Sequence, residues 1–173
     1  MITSENINES AANLVDDSVP YKLKLSFPGN YEYIAPIRKF IYEALLVNNY
    51  NQKFAYRSEV IVDEICSNAI SYGCKAIDAR IELLCLIFSD RFEVQVKDQG
   101  GERKDLERLR FAVKNFEEEQ KQGNADIVKD IRKECLGLEI VRMLSEEIDL
   151  HIDENNVTTL RVVRRRKPFY EAK

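Results

Sequence analysis

Histidine is almost missing from this chain: His151 is the only one in 173 residues. A zinc site of ordinary His and Cys composition is therefore short of ligands. A Ser/His/Asp triad has nothing else in its favour, because His151 alternates with Leu150 and Ile152 and falls on the solvent face of an expected strand. Cysteine is sparse too. Cys66, Cys74, Cys85 and Cys135 include no Cys-x-x-Cys pair, and Cys66 and Cys85 sit in apolar surroundings as small buried hydrophobes. Apolar runs are short, and none approaches the roughly 20 residues that cross a bilayer. The opening MITSENINESAANLVDDS lacks the basic and apolar blocks of a secretory leader, so a cytoplasmic protein is expected. An excess of basic charge is also lacking. The net charge of −4 argues against nucleic acid as the main partner, and no membrane contact is expected.

What is present suits one globular domain. The chain is 45% hydrophobic and 32% charged, enough apolar material for a sizeable core. Residues 1–19 are polar and aperiodic and are expected to be a flexible tail, with the domain over 20–166 and a short C-terminal tail over 167–173. Tyr21, Leu23, Leu25 and Phe27 alternate with polar residues, the pattern of a half-buried strand that Pro28-Gly29-Asn30 ends. Ile37, Phe40, Ile41, Ala44 and Leu45 mark a helix from about Tyr33 to Asn48. A hairpin is expected from Ala79 to Phe88 and Phe92 to Val96, turning at Ser89-Asp90-Arg91. Residues 103–134 are highly charged. Leu106, Leu109, Phe111 and Val113 suit one helix, and Ile127, Val128 and Ile131 a shorter one beyond Gly123-Asn124. A segment so poor in apolar residues suits a lid, and Glu117-Glu118-Glu119 suits a solvated face. Leu136, Ile140 and Leu144 form a last helical stripe. A final hairpin turns at Asp153 to Asn156, and the basic run Arg164-Arg165-Arg166-Lys167 reads as solvated charge.

The order strand, helix, helix, hairpin, charged insert, helix, hairpin predicts an α+β fold. Its form is a two-layer sandwich, with helices covering one face of a mostly antiparallel mixed sheet.

The stretch that organises the rest is RSEVIVDEICSNAISYG, Arg57 to Gly73. Val62, Ile65, Cys66 and Ala69 form a buried helical stripe. Glu64 and Asn68 stand four apart and so share a face one turn apart. A carboxylate and an amide so placed suit a proton acceptor beside an oxygen ligand for a hard cation such as Mg²⁺, although solvated surface groups would look the same. The second strand of the hairpin runs into Asp98-Gln99-Gly100-Gly101, where an acid and glycines allow a backbone to approach a ligand closely. A helix starting near Gly137 would offer free N–H groups to an anion.

DEICSNA, VKDQGG and CLGLEIV, in this order and spacing, resemble the Bergerat-fold ATP-binding domains of the GHKL class. Within it the chain looks most like the stand-alone bacterial anti-sigma factor serine kinases, over about residues 20 to 166. With no histidine-bearing dimerisation helix ahead of the domain, a full sensor histidine kinase is not expected. The resemblance implies ATP and Mg²⁺ as cofactors. It implies Glu64 as the general base towards a serine hydroxyl and Asn68 as the Mg²⁺ ligand below the ATP phosphates. Asp98 would accept from the adenine amino group, and Gly100 would pass close to the base. Gly137 and Leu138, at the helix start, would receive phosphate oxygens, and Thr158 would help hold adenine, with Thr159 adjacent as the competing choice. The implied partners are a STAS-type anti-anti-sigma protein, which such kinases phosphorylate on serine, and an RNA polymerase sigma factor. Family members also form homodimers through the sheet side. The sequence departs from the family at Glu134 and Cys135, where glycine is usual, and at Gly101-Glu102. Those departures keep a second reading open, a partner-sequestering protein with weak or no nucleotide chemistry. A third is an ATPase-like domain of another partner-switching pathway.

Overall fold

The computed structural model describes residues 19–74, 76, 78–114 and 136–166. Several expectations lie outside them: the tail over residues 1–18, the short helix of Ile127, Val128 and Ile131 with its break at Gly123-Asn124, and the acidic run at Glu117-Glu118-Glu119. So do Glu134, Cys135 and residues 167–173.

The described elements, in chain order, are β1 (Tyr21–Pro28), α1 (Ile34–Val47), α2 (Gln52–Asn68), β2 (Arg80–Ile87), β3 (Arg91–Lys97), α3 (Arg103–Lys114), α4 (Leu136–Leu144), β4 (Glu147–Ile152) and β5 (Thr158–Arg165). The strands form one five-stranded sheet in the order β1-β2-β3-β5-β4. All four pairings are antiparallel, so among the described residues the sheet has no parallel pair and is more uniform than the mixed sheet expected.

Alternation decides which face is buried. Leu25 pairs with Leu83, Leu83 with Val96 and Val96 with Leu160, so one row of apolar side chains crosses four strands on one face. A parallel row runs through Cys85, Val94 and Val162. Each of these side chains, once fully buried, contributes about 1.5–3 kcal/mol relative to exposure. The opposite face is polar where β3, β5 and β4 meet. There Arg161 pairs with Glu93 (2.8 Å) and Asp149 (2.9 Å), and Arg91 pairs with Glu93 (2.7 Å). His151 is exposed opposite Thr159, as its alternation required.

α2 is the centre of the helical layer and packs against both α1 and α4. Asn51 caps it, its side chain accepting from the Phe54 N–H at 2.8 Å. Ile61, Val62, Ile65 and Cys66 face the sheet with no exposed surface. Burial pushes the Cys66 thiol up to about 12 and raises that of Cys85, so both are inert packing groups. Arg38 of α1 ties α2 down through Glu59 (3.1 Å) and Asp63 (3.2 Å). The helix does not stop cleanly at Gly73. It widens after Asn68 into a π-helical turn over Ala69–Gly73, a local irregularity that recurs at functional sites.

One sequence expectation fails. Arg164 is not solvated charge: it lies in β5 on the inner face, 7% exposed, where strand alternation places it in register with buried Phe92.

Candidate functional site

Two close approaches build the site. Gly73 closes the π-helical turn against Asp98 at the end of β3, so closely that a β-carbon on Gly73 would lie 2.1 Å from the Asp98 carboxyl carbon. Gly101 passes the same turn, and a β-carbon there would lie 1.9 Å from the Tyr72 carbonyl oxygen. Gly101 thus meets the turn after α2 backbone to backbone, and Gly73 meets the Asp98 side chain. Sequence reasoning marked Gly73 only as the end of the organising stretch, and read Gly101 as a close approach to a ligand and a departure from a motif rather than as a contact with the turn after α2. The signal for both was glycine at the facing ends of two segments.

Asp98 sits at this seam, 6% exposed. Its Oδ1 accepts from the Gly100 N–H at 2.8 Å, and its own N–H donates to the Thr158 carbonyl at 3.1 Å. Burial raises its carboxyl above the usual range, while Gly100 and Thr158 pull it back. Gly100 has φ of +90°, a conformation costly for other residues, and a β-carbon there would meet the Asn156 carbonyl at 2.4 Å. Alternation along β5 separates the two threonines. Thr158 is 3% exposed and faces inward beside Asp98, whereas Thr159 lies on the outer face between Lys97 and His151.

Glu64 and Asn68 stand one turn apart on α2. Glu64 is half-buried, and neither of its carboxylate oxygens bonds to another described residue. Burial first, and then the neighbouring Asp63 charge, raise its carboxyl above the usual range, the direction that suits a general base. Gly137, the second residue of α4, lies over this carboxylate: a β-carbon there would stand 2.0 Å from Glu64 Oε2. Leu138, next along, is buried in the core rather than open to a ligand, so only its backbone is free to meet one.

One buried polar atom in this region, Asn68 Nδ2, lacks a hydrogen-bond partner among the described residues, whereas the buried Thr158 hydroxyl lies beside the Asp98 carboxyl and helps to lower it. An orphaned group such as the Asn68 amide costs about 1–3 kcal/mol unless something satisfies it. An amide's nitrogen and oxygen can exchange places by a flip, so Asn68 can present either a donor or an oxygen ligand. Among the described residues no three His, Cys, Asp or Glu side chains gather around one point. A metal here would need ligands from its substrate, as Mg²⁺ commonly has with phosphates.

The structure therefore gathers the expected residues into two groups. Asp98, Gly100 and Thr158 meet at the sheet end, and Glu64 meets Gly137 where α2 touches α4. Asn68 lies on α2 between Glu64 and the turn that touches Asp98.

A sequence profile of the histidine kinase-like ATPase domain matches residues 27–164. The chain belongs to the histidine kinase-like ATPase family. Membership makes it an ATP-binding domain by type, with nearly every described element inside the matched span. Among curated proteins it is 26% identical over 140 residues to the serine-protein kinase RsbW of Bacillus thuringiensis subsp. konkukian, covering 77% of this chain and 79% of that one. An RsbW of Bacillus cereus matches over the same length and the same shares of both chains at 27% identity. A chain in the crystal structure of the SiaB–SiaC complex from Pseudomonas aeruginosa superimposes with a TM-score of 0.60 at 19% identity, over 82% of this chain and 88% of that one. That likeness carries the fold alone. This histidine kinase-like ATPase domain is thus α+β, with helices on one face of an antiparallel sheet, as the order of its strands and helices predicted.

Proposed function

We propose that this protein is an ATP-dependent serine kinase of the partner-switching type. It transfers phosphate to a serine on a STAS-type anti-anti-sigma protein and holds an RNA polymerase sigma factor in alternation with it. The observation that carries the reading is the meeting of Glu64 with Gly137 one turn from the orphaned amide of Asn68. A site built only for partner binding would gain nothing from a partly desolvated carboxylate, without a partner among the described residues, beside a glycine in the first turn of α4.

In this reading Asp98 accepts a hydrogen bond from the adenine amino group, held in place by the Gly100 N–H, and the Thr158 hydroxyl beside it helps hold the base. Gly100 leaves room for the base. The backbone at Gly137 and Leu138 faces phosphate oxygens at the start of α4. Asn68 offers its amide oxygen to Mg²⁺, whose charge offsets that of the phosphates. Glu64 takes the proton of the attacking serine hydroxyl, a role worth roughly 10²–10⁴-fold in rate. The kinase names of the RsbW relatives support this reading, as does ATPase family membership.

The test is phosphoryl transfer from radiolabelled ATP to STAS-domain proteins of the same genome, with wild type and Glu64→Ala compared. We expect Mg²⁺-dependent labelling of one serine by wild type, and ATP binding without transfer by the variant. Binding of a STAS protein or sigma factor with no transfer by wild type would support the partner-sequestering alternative, which Glu134 and Cys135 motivate.

A further inference from the structure

Five cationic side chains gather at the end of the helical layer remote from Asp98. A cavity of about 300 Å³ opens there between the first turn of α2, the end of α4 and the end of β5. Lys53, Arg57, Arg164, Arg165 and Arg166 line it, against one carboxylate, Glu146. Arg164 lies six residue steps along β5 from Thr158, roughly 20 Å at strand rise, so this cavity is not part of the nucleotide site.

Arg164 is the unusual member. It is 7% exposed, and its guanidinium donates to the Phe54 carbonyl and to Ser58 Oγ and stacks 4.0 Å from the Phe54 ring centre. All of these partners are neutral, and among the described residues it makes no ion pair. A buried charge without a counter-charge is costly, and folded proteins ordinarily pair it. Burial, with Arg57 adding to it, pushes Arg164 down to about 10, and only Glu146 opposes this. The one carboxylate in the lining, Glu146, accepts the Arg165 backbone N–H at 2.8 Å and forms no ion pair with Arg164 among the described residues. Of the other cations, Arg165 is paired with Glu147 at 2.8 Å, and Arg166 donates to the carbonyls of Ser89 and Asn49. Lys53 and Arg57 are exposed and form no ion pair among the described residues.

The walls narrow the choice of anion. Phe54 and Leu144 give an apolar side, and Met143, 74% exposed, extends it to the surface. Glu146 stands within the cationic ring, where it repels a dianionic phosphate more than a single carboxylate. We propose that this pocket docks an acidic, apolar segment of a protein partner. A carboxylate side chain enters towards Arg164 and Arg57 while an adjacent apolar side chain covers Met143. The docking needs no nucleotide, so it stands or falls apart from the kinase reading.

The test is fluorescence anisotropy with the full chain and a fluorescein-labelled peptide of alternating leucine and glutamate. A peptide with glutamine for glutamate is the control. Lys53→Glu combined with Arg57→Glu changes two exposed side chains and leaves buried Arg164 in place, and an unchanged melting temperature reports an intact fold. We expect saturable binding that falls roughly tenfold or more in the double variant and with the glutamine peptide. Millimolar inorganic phosphate at constant ionic strength should leave it in place. No saturable binding, equal binding by the double variant, or displacement by phosphate would overturn the proposal, the last by making this an inorganic anion pocket.

Discussion

Gly137 rests on Glu64: at the second residue of α4 any β-carbon would stand 2.0 Å from Glu64 Oε2 and 3.0 Å from its carboxyl carbon. The atoms in the way are the far end of a flexible side chain, not backbone. Gly137→Ala should therefore move the carboxylate rather than unfold the protein, and alanine even favours the helix by up to about 1 kcal/mol. The expected result is an unchanged or slightly higher melting temperature with at least about tenfold slower phosphoryl transfer. Full activity in the folded variant would mean that the position of the Glu64 carboxylate does not matter.

Gly101 behaves differently, because its neighbour is backbone. A β-carbon 1.9 Å from the Tyr72 carbonyl forces apart the π-helical turn and the loop after β3. Gly101→Ala should lower stability by about 1–3 kcal/mol, the usual cost of overpacking, read from the midpoint of urea unfolding. Gly137→Ala, measured in parallel, should show no such loss.

Glu64 gives the site its pH dependence. Burial and then Asp63 raise its carboxyl above the ordinary glutamate value. A base must be ionised to accept a proton, so transfer should fall as pH drops through that raised value, earlier than for an unperturbed glutamate. Asp63→Asn removes one of the two causes and should move the acid limb of the rate profile to lower pH. For stability the sign is opposite. A carboxyl raised by folding favours the fold below its unfolded value and loses that contribution as pH rises through the folded value. Glu64→Gln should thus melt at or above wild type at pH 7, and the gap should close in acid.

Asp98→Asn keeps an oxygen to accept the Gly100 N–H, now 2.8 Å from Oδ1, and loses only the charge. Adenine binding should weaken by about 1.5–3 kcal/mol, the worth of a hydrogen bond to a charged group, or roughly 10- to 150-fold. Unchanged nucleotide affinity in calorimetry would move the adenine pocket elsewhere.

Much of this architecture is written in local pattern. The period-two alternation of β1, β2 and β3 and the stripe of α2 are set by burial on one face, so the strands and helices could be read directly. The pairing of Glu64 with Asn68 follows from helical spacing alone. What could not be read depends on contacts between distant segments. At the π-helical turn after Asn68, Gly73 and Gly101 let the end of α2 and the β3 loop touch, and neither segment signals the other. Thr158 and Thr159 are equivalent in composition, and only the register of β5 sends Thr158 inward. Arg164 looked like terminal charge because it opens a basic run, yet strand alternation buries it against Phe54.

Calorimetric titration with ATP, with and without Mg²⁺, on wild type and Asn68→Ala is the most direct test of the nucleotide site. Mg²⁺-dependent binding that the substitution abolishes, with the melting temperature kept, is the predicted result. Binding by Asn68→Ala that matches wild type in the presence of Mg²⁺, or no binding by wild type at millimolar ATP, would contradict it.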